Sequence, residues 1–306
     1  MNRKFLQFGR RGIVIFVLLL PCAYASEVEV SYGMGLRNDD LRWAISSDLI
    51  GTPPNILSEL IWRNLKGNEH FLGLEYVSSD RWMVRANLSK IEFNQGGEMQ
   101  DSDYLYDDRN GEFSRSIAAT RGSNAQDISL IFGKQFLFTN APALTLTPVI
   151  GWARNLINLR MNEGVQIIPA SGAYIGLNSS YQAQFNTNLA GVEAKWWLSK
   201  IVGFDIKWHH GWFNYHGEAD WNLRSDFQHP VSFYHEAKGT DNRWRFGLLT
   251  KLNSSWNMEI SYSVNKGAFQ SGMDVSNLAD GTHQTMRLKE FEWTSNSTSL
   301  LLQRSF

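Results

Sequence analysis

Strict alternation of apolar and polar residues is the feature that most constrains this fold. Between Glu27 and Arg37 every second residue is apolar or aromatic, and the residues between them are polar or glycine. A period of two is typical of a β-strand whose two faces meet different environments. Similar segments start near positions 56, 82, 127, 144, 190, 202, 243, 256 and 299. The pattern predicts ten antiparallel strands.

Charged side chains repeatedly occupy the polar face of these segments. A soluble β-sandwich also alternates, but its inner face would have to form a dry core. A barrel in a membrane instead turns its apolar face to lipid and its polar face to a wet lumen, and aromatic residues line its two interfaces. The content of 13% aromatic residues, with 12 tryptophans, suits such girdles. We therefore expect a ten-stranded antiparallel transmembrane β-barrel with charges in its lumen, among them Arg85, Glu193, Lys195, Lys207 and Glu259.

The connections between the predicted strands alternate between short and long, which is typical of outer-membrane barrels. Short turns are predicted at 78–80, 139–142, 198–200 and 253–255, and long connections at roughly 38–55, 94–125, 155–183, 217–242 and 267–296. This order places both chain ends on the side of the short turns. The segment from Ile56 to Val77 exceeds one crossing, and we interpret it as a single strand with even parity throughout. A hairpin at Gly67-Asn68 is the alternative.

The first 25 residues have the three parts of a secretory signal peptide. Arginine and lysine precede an apolar stretch from Gly12 to Leu20, and Ala23-Tyr24-Ala25 is a small-x-small cleavage site. The barrel domain is therefore predicted to span residues 26–306. The lone Cys22 lies inside the leader, where a lipoprotein signal is a weaker alternative because proline precedes the cysteine. The mature chain carries no basic surplus, so no nucleic acid partner is expected.

The chain ends in an apolar, alternating segment that closes on Phe306. Such an ending resembles the signal that outer-membrane barrels present to the barrel-assembly machinery. We therefore expect a bacterial outer-membrane location, with extracellular long connections and periplasmic termini. Outer-membrane lipid, including lipopolysaccharide, is the expected surrounding partner, and no cofactor or metal is expected.

Several short motifs resemble those of the omptins, which are ten-stranded outer-membrane endoproteases. They are Ser58-Glu59-Leu60-Ile61-Trp62, the stretch from Gly96 to Tyr104, Gly211-Trp212 and the closing Leu302 to Phe306. A closer resemblance is to the family named for Protochlamydia outer-membrane proteins. Its pattern appears in the stretches from Arg37 to Trp43, Asn55 to Leu60, Asp101 to Tyr104, Gly111 to Ser116 and Gly176 to Tyr181.

The omptin resemblance implies a water molecule activated between an Asp pair and an Asp-His pair in opposite loops. In such a site a carboxylate orients the imidazole, which takes a proton from water. Asp101 and Asp103 match the first pair, and their spacing puts both carboxylates on one face of an extended segment. The second pair falls at Asp220, where Trp221 stands in place of the histidine. An indole cannot accept that proton.

A loop insertion would let other residues replace the missing histidine. Asp226 and His229 are the first choice, although their spacing is one residue longer than the family pattern. His216, Glu218 and His235 are further substitutes at looser spacing. If none of them serves, the three carboxylates Asp101, Asp103 and Asp220 are solvated loop groups.

Three functions are compatible with these residues. The first is a non-enzymatic surface barrel whose long connections bind ligands, and the incomplete Asp-His pair favours it. The second is an omptin-type endopeptidase that uses Asp101, Asp103 and a relocated histidine. The third is a narrow channel, because many charges are predicted in the lumen. Ten strands lie near the small end of the barrel range, where side chains fill the interior.

Overall fold

Fifteen β-strands make up the fold in the computed structural model, which describes residues 27–50, 52–138 and 143–306. The predicted leader and the predicted turn at 139–142 lie outside these residues. No helix of membrane-spanning length occurs among the described residues. The strands are β1 (Glu27–Ile45), β2 (Ser58–Val77), β3 (Trp82–Glu92), β4 (Glu98–Tyr106), β5 (Asn110–Ala119), β6 (Asn124–Lys134), β7 (Phe136–Phe138), β8 (Ala143–Ile168), β9 (Gly172–Ala173), β10 (Asn178–Trp197), β11 (Val202–Asp220), β12 (Phe233–Lys251), β13 (Trp256–Phe269), β14 (Gly272–Asn277) and β15 (His283–Ser305).

Ten of these strands form a closed antiparallel ring, which confirms the predicted architecture. The order around the ring is β1, β2, β3, β6, β8, β10, β11, β12, β13 and β15, and β15 pairs with β1 again. Closure leaves no free strand edge in the wall. Segment 56–77 contributes one strand, β2, so the single-strand interpretation is confirmed over the hairpin.

The half of the ring near the short turns carries an outward belt of exposed apolar side chains. Alternate residues of β1 from Val30 to Leu36 belong to it, and so do residues of the other ring strands, including Leu74, Leu130, Ile150, Phe246, Ile260 and Leu300. The neighbouring positions turn inward, where Arg85, Glu193 and Glu259 are buried. We call this outward surface the lipid belt, since exposed apolar residues of this kind face hydrocarbon in barrels.

The predicted even parity of the whole second strand is wrong. The lower part of β2 turns Leu72 and Leu74 outward, but Leu60 and Trp62 are buried inside the ring. The register between β1 and β2 shifts between Asp39 and Leu41, and Asn64 opposite this point has a positive φ of 54°. A bulge adds one residue to a strand and so exchanges its faces. Here the bulge keeps apolar side chains inside once the strand has left the lipid belt.

The predicted long connections are also mostly β-structure rather than loops. The ring strands continue far beyond the lipid belt, so that β1 ends at Ile45 and β8 at Ile168. The hairpin β4–β5 pairs with β2 on one side and β8 on the other, and β14 fills the space between β12 and β15. The barrel wall therefore continues beyond the lipid belt as hydrogen-bonded β-structure. We call this part, formed by the far ends of the ring strands together with β4, β5 and β14, the collar.

The inside of this collar is filled by an aromatic core. Trp62 and Tyr181 stack with their ring centroids 5.4 Å apart, and Phe185 stacks on Trp293 at 5.2 Å. Inward positions of the collar are thus mostly apolar, whereas inward positions within the lipid belt are mostly polar. The core also contains Trp43, Phe213, Tyr215, Phe233, Phe269 and Phe291.

A polar layer separates the aromatic core from the lumen below it. We define it as Arg37, Asp39, Asp127, Asn155, Asp241 and Arg243. Arg37 donates two hydrogen bonds of 2.8 Å to Asp39 and also binds Asp127. Asn155 donates to Asp127 at 2.7 Å and accepts from Arg243 at 3.0 Å. The layer therefore joins β1, β6, β8 and β12 across the inside of the ring.

Candidate functional site

Asp101 and Asp103 lie on the inward face of β4, at the collar end of the molecule. In the ladder with β2 they stand opposite Leu60 and Ser58, and Leu60 points into the aromatic core. The sequence prediction that both carboxylates share one face of an extended segment agrees with this ladder. Two cross-strand partners lie on the same side of a sheet, so both carboxylates face the mouth of the barrel.

Asp101 is a half-buried side chain rather than the solvated loop group of the default interpretation. Its Oδ1 atom is shielded from solvent and has no hydrogen-bond partner among the described residues. Burial, followed by the nearby charge of Asp103, raises the pKa of Asp101 to about 7. The Arg224 guanidinium and a hydrogen bond with Ser58 act in the opposite direction, but they do not compensate for the burial.

The raised pKa of Asp101 predicts a pH-dependent cost in stability. In the unfolded chain this carboxyl ionises near 3.8, whereas in the fold it stays protonated up to about 7. Folding thus shifts the ionisation of this carboxyl to higher pH, so the free energy of unfolding falls as pH rises through this window. We expect wild type to lose up to about 1 kcal/mol per pH unit relative to Asp101→Asn across the window. Urea unfolding at several pH values measures the difference, and parallel curves would contradict the expectation.

His229 is bound to Asp220, and not to Asp226 as the first-choice pairing predicted. Its Nδ1 lies 2.7 Å from Asp220 Oδ1, and its Nε2 lies 3.2 Å from the backbone oxygen of Arg224. Asp226 instead accepts two hydrogen bonds from Arg224, of 2.9 and 2.7 Å, which hold the pKa of Asp226 at about 2. The pairing of Asp226 with His229 is therefore wrong, because the arginine competes for the carboxylate.

The partners of His229 limit its chemistry. The hydrogen bond to Asp220 raises the pKa of His229, and both ring nitrogens face oxygen acceptors. This arrangement favours the imidazolium, in which both nitrogens donate. In this conformation neither nitrogen is available to take a proton from water, which a general base must do.

Arg224 interacts with both halves of the candidate site. Its guanidinium interacts electrostatically with Asp101 and Asp103, while its backbone oxygen is bound to His229. Tyr174 also lies within electrostatic reach of both carboxylates. Neither Arg224 nor Tyr174 was predicted from the sequence, because neither belongs to a motif and both reach the mouth only through the folding of separate connections.

The remaining candidates lie away from this mouth. His216 is bound to Glu218 at 2.9 Å on the outer face of β11, so it does not face Asp101. Trp221, in the expected histidine position, packs on Phe233 with ring centroids 4.7 Å apart. It therefore extends the aromatic core.

His235 is completely buried below the mouth. Its Nε2 lies 2.9 Å from Asp274 Oδ1, and its Nδ1 lies 2.8 Å from the Tyr181 hydroxyl, which in turn contacts Tyr215. Trp43 and Phe233 surround the imidazole. A histidine without exposed surface cannot act on a peptide, so this network supports the docking of β14 on the core. The sequence signal that could have shown this is the alternation in β12, because His235 stands two residues after the buried Phe233 and therefore shares its inward face.

Comparison with known proteins supports the fold and the family. Among solved structures, the chain is similar to the outer membrane protease OmpT from Escherichia coli, with a TM-score of 0.73, 12% identity, and coverage of 92% of this chain and 97% of that one. At this identity the similarity shows the barrel fold alone. No curated protein matches the chain significantly.

Two other barrels match less well. The translocator domain of the autotransporter NalP from Neisseria meningitidis has a TM-score of 0.40, 9% identity, and coverage of 94% of this chain and 91% of that one. The toluene transporter TodX from P. putida has a TM-score of 0.29, 9% identity, and coverage of 91% and 90%. The family profile described as Protochlamydia outer membrane protein matches residues 31–306. This chain therefore belongs to the Protochlamydia outer membrane protein family, and its barrel resembles that of OmpT.

Proposed function

We propose that this outer-membrane barrel is a non-proteolytic surface protein, whose collar presents a rigid binding platform outside the cell. The long-connection end is then extracellular and both termini are periplasmic. Rigid β-structure suits such a platform, since an ordered surface loses little conformational entropy on binding. Lipopolysaccharide around the lipid belt and the barrel-assembly machinery at the strand ending in Phe306 belong to the same proposal.

One observation carries the non-proteolytic part of this proposal. Both ring nitrogens of His229 are engaged, one by Asp220 and the other by the backbone oxygen of Arg224, and no hydrogen bond joins His229 to Asp101 or Asp103 among the described residues. Water activation needs a free imidazole nitrogen within hydrogen-bond reach of the attacking water. Neither ring nitrogen of His229 meets that requirement in this conformation.

A peptide-library assay tests the proposal. Purified, refolded protein in detergent is incubated with a mixed peptide library, and the products are analysed by mass spectrometry. We expect no cleavage by wild type. Cleavage that disappears in Asp101→Ala and His229→Ala, but persists in the control Asp80→Ala, would establish the endopeptidase instead. Asp80 is exposed in a short turn, far from the mouth.

The same protein should not conduct ions, because two layers occupy the inside of the ring. The polar layer crosses the lumen, and the aromatic core fills the collar above it. Packed side chains of this kind close small barrels. Discrete conductance steps in a planar bilayer would contradict this part of the proposal and favour the narrow channel.

A further inference from the structure

A cavity of about 710 Å³ lies in the lumen below the polar layer. Arg37, Asp127, Asn155 and Arg243 of that layer border it, and it extends down to Arg81 and Ser254 beside the short turns. Binding pockets for small molecules typically measure 300–1,000 Å³. The lumen is therefore a well that is closed toward the collar and has the volume of a ligand site.

Charges of both signs line the well, and nearly all of them are neutralised locally. Arg85 binds Glu75 at 3.0 Å and also Glu193, Lys207 binds Asp205 at 3.2 Å, and Arg245 binds Glu259 at 2.8 Å. Outside these pairs, Glu69 is hydrogen-bonded by Ser89 and Ser297, and Lys251 lies over the Trp197 ring.

Glu29 and Lys195 are the exceptions among the described charges of the well. Neither forms an ion pair within 4 Å or a hydrogen bond with another described residue. Each interacts electrostatically with the other, and at longer range Lys195 also interacts with Glu75, Asp205 and Glu259, and Glu29 with Lys207. Glu29 belongs to β1 and Lys195 to β10, and these strands lie five steps apart along the ring in either direction. A carboxylate and an ammonium thus face each other from opposite walls, near the short-turn end of the lumen.

A third group supports a ligand at this place. Gln303 is only 7% exposed and lines the same cavity. Its amide nitrogen donates to Glu259 at 2.8 Å, but its Oε1 atom has no hydrogen-bond partner among the described residues. A buried acceptor without a partner carries a desolvation cost that a bound donor would relieve.

We propose that this well binds short peptides with free termini, which enter it from the short-turn side. The peptide ammonium lies at Glu29, its carboxylate lies at Lys195, and a peptide N–H donates to Gln303. Opposite charges on facing walls select a molecule that carries both charges at a distance. A simple anion would neutralise only Lys195, and a simple cation would neutralise only Glu29. This site goes beyond the proposed surface function, because it lies at the opposite end of the barrel.

Calorimetry with alanyl-alanine tests the site. The refolded full chain is kept in a non-ionic detergent, since a zwitterionic detergent would compete. We expect alanyl-alanine to bind, and we expect Lys195→Gln and Glu29→Gln each to weaken binding about tenfold, as for a lost charge-assisted hydrogen bond. Lys200→Gln and Glu98→Gln, which remove exposed charges outside the well, should leave binding unchanged.

Modified peptides separate loss of the site from loss of the fold. N-acetyl-alanyl-alanine lacks the ammonium, so its binding should respond to Lys195→Gln but not to Glu29→Gln. Alanyl-alanine amide lacks the carboxylate, so it should show the reverse. A misfolded variant would weaken all three probes equally. The proposal would be overturned if wild type did not bind alanyl-alanine, or if the affinity were the same in wild type and in both variants. This holds whatever the peptide-library assay shows.

Discussion

Replacing Arg37 with methionine is expected to lower the free energy of unfolding by about 3–5 kcal/mol. Arg37 is 3% exposed, and it binds Asp39 and Asp127 within the polar layer. Removing the guanidinium leaves Asp39 as a buried carboxylate without its cation. The cost arises from this uncompensated charge more than from the lost contact itself. Urea unfolding of the refolded protein in detergent measures it.

Arg42 on the same strand provides a matched control. It forms an ion pair of 2.8 Å with Glu292, but the two side chains are 38% and 59% exposed. Exposed ion pairs contribute about 0–1 kcal/mol, because water solvates both partners once the pair is broken. We therefore expect Arg42→Met to change stability by less than about 1 kcal/mol. Equal effects of the two substitutions would show that the polar layer does not stabilise the barrel.

Trp62→Ala is expected to lower the free energy of unfolding by about 3–5 kcal/mol. The indole is fully buried between Trp43 and Tyr181 in the aromatic core. Its removal leaves a cavity in a collar that closed β-ladders hold in place, so the surrounding rings cannot collapse into the space. Thermal or urea unfolding, followed by tryptophan fluorescence and far-UV circular dichroism, gives the difference.

Trp212→Ala is the control for the same change of side chain. Trp212 is 53% exposed on the outer face of β11 and contacts the His210 ring at 4.8 Å. Truncation of this side chain leaves no internal cavity, so the loss of unfolding free energy should be clearly smaller than for Trp62→Ala. A loss at Trp62 no larger than at Trp212 would mean that the aromatic core does not hold the collar together.

The predicted ends of the strands were wrong where the strands leave the lipid belt. In β1 the apolar residues stand at even positions up to Leu36 and at odd positions from Leu41. The apolar face points to lipid below this crossover and to the aromatic core above it. A search for unbroken alternation therefore ends the strand near Arg37, although the backbone continues to Ile45.

The sequence by itself determined the number of ring strands, their antiparallel order and the lumenal charges within the lipid belt. It could do so because contact with hydrocarbon imposes a period of two on every crossing, independently of the partner strands. It also placed Asp101 and Asp103 on one face, since neighbours two apart in a strand always share one.

Only the tertiary structure decided how the collar and its sites are assembled. His229 meets Asp220 rather than Asp226 because Arg224, from the same connection, binds the Asp226 carboxylate. Glu29 faces Lys195 because ring closure sets β1 opposite β10. Such pairings depend on the curvature of the wall and on competition among side chains, and alternation along one strand carries no information about either.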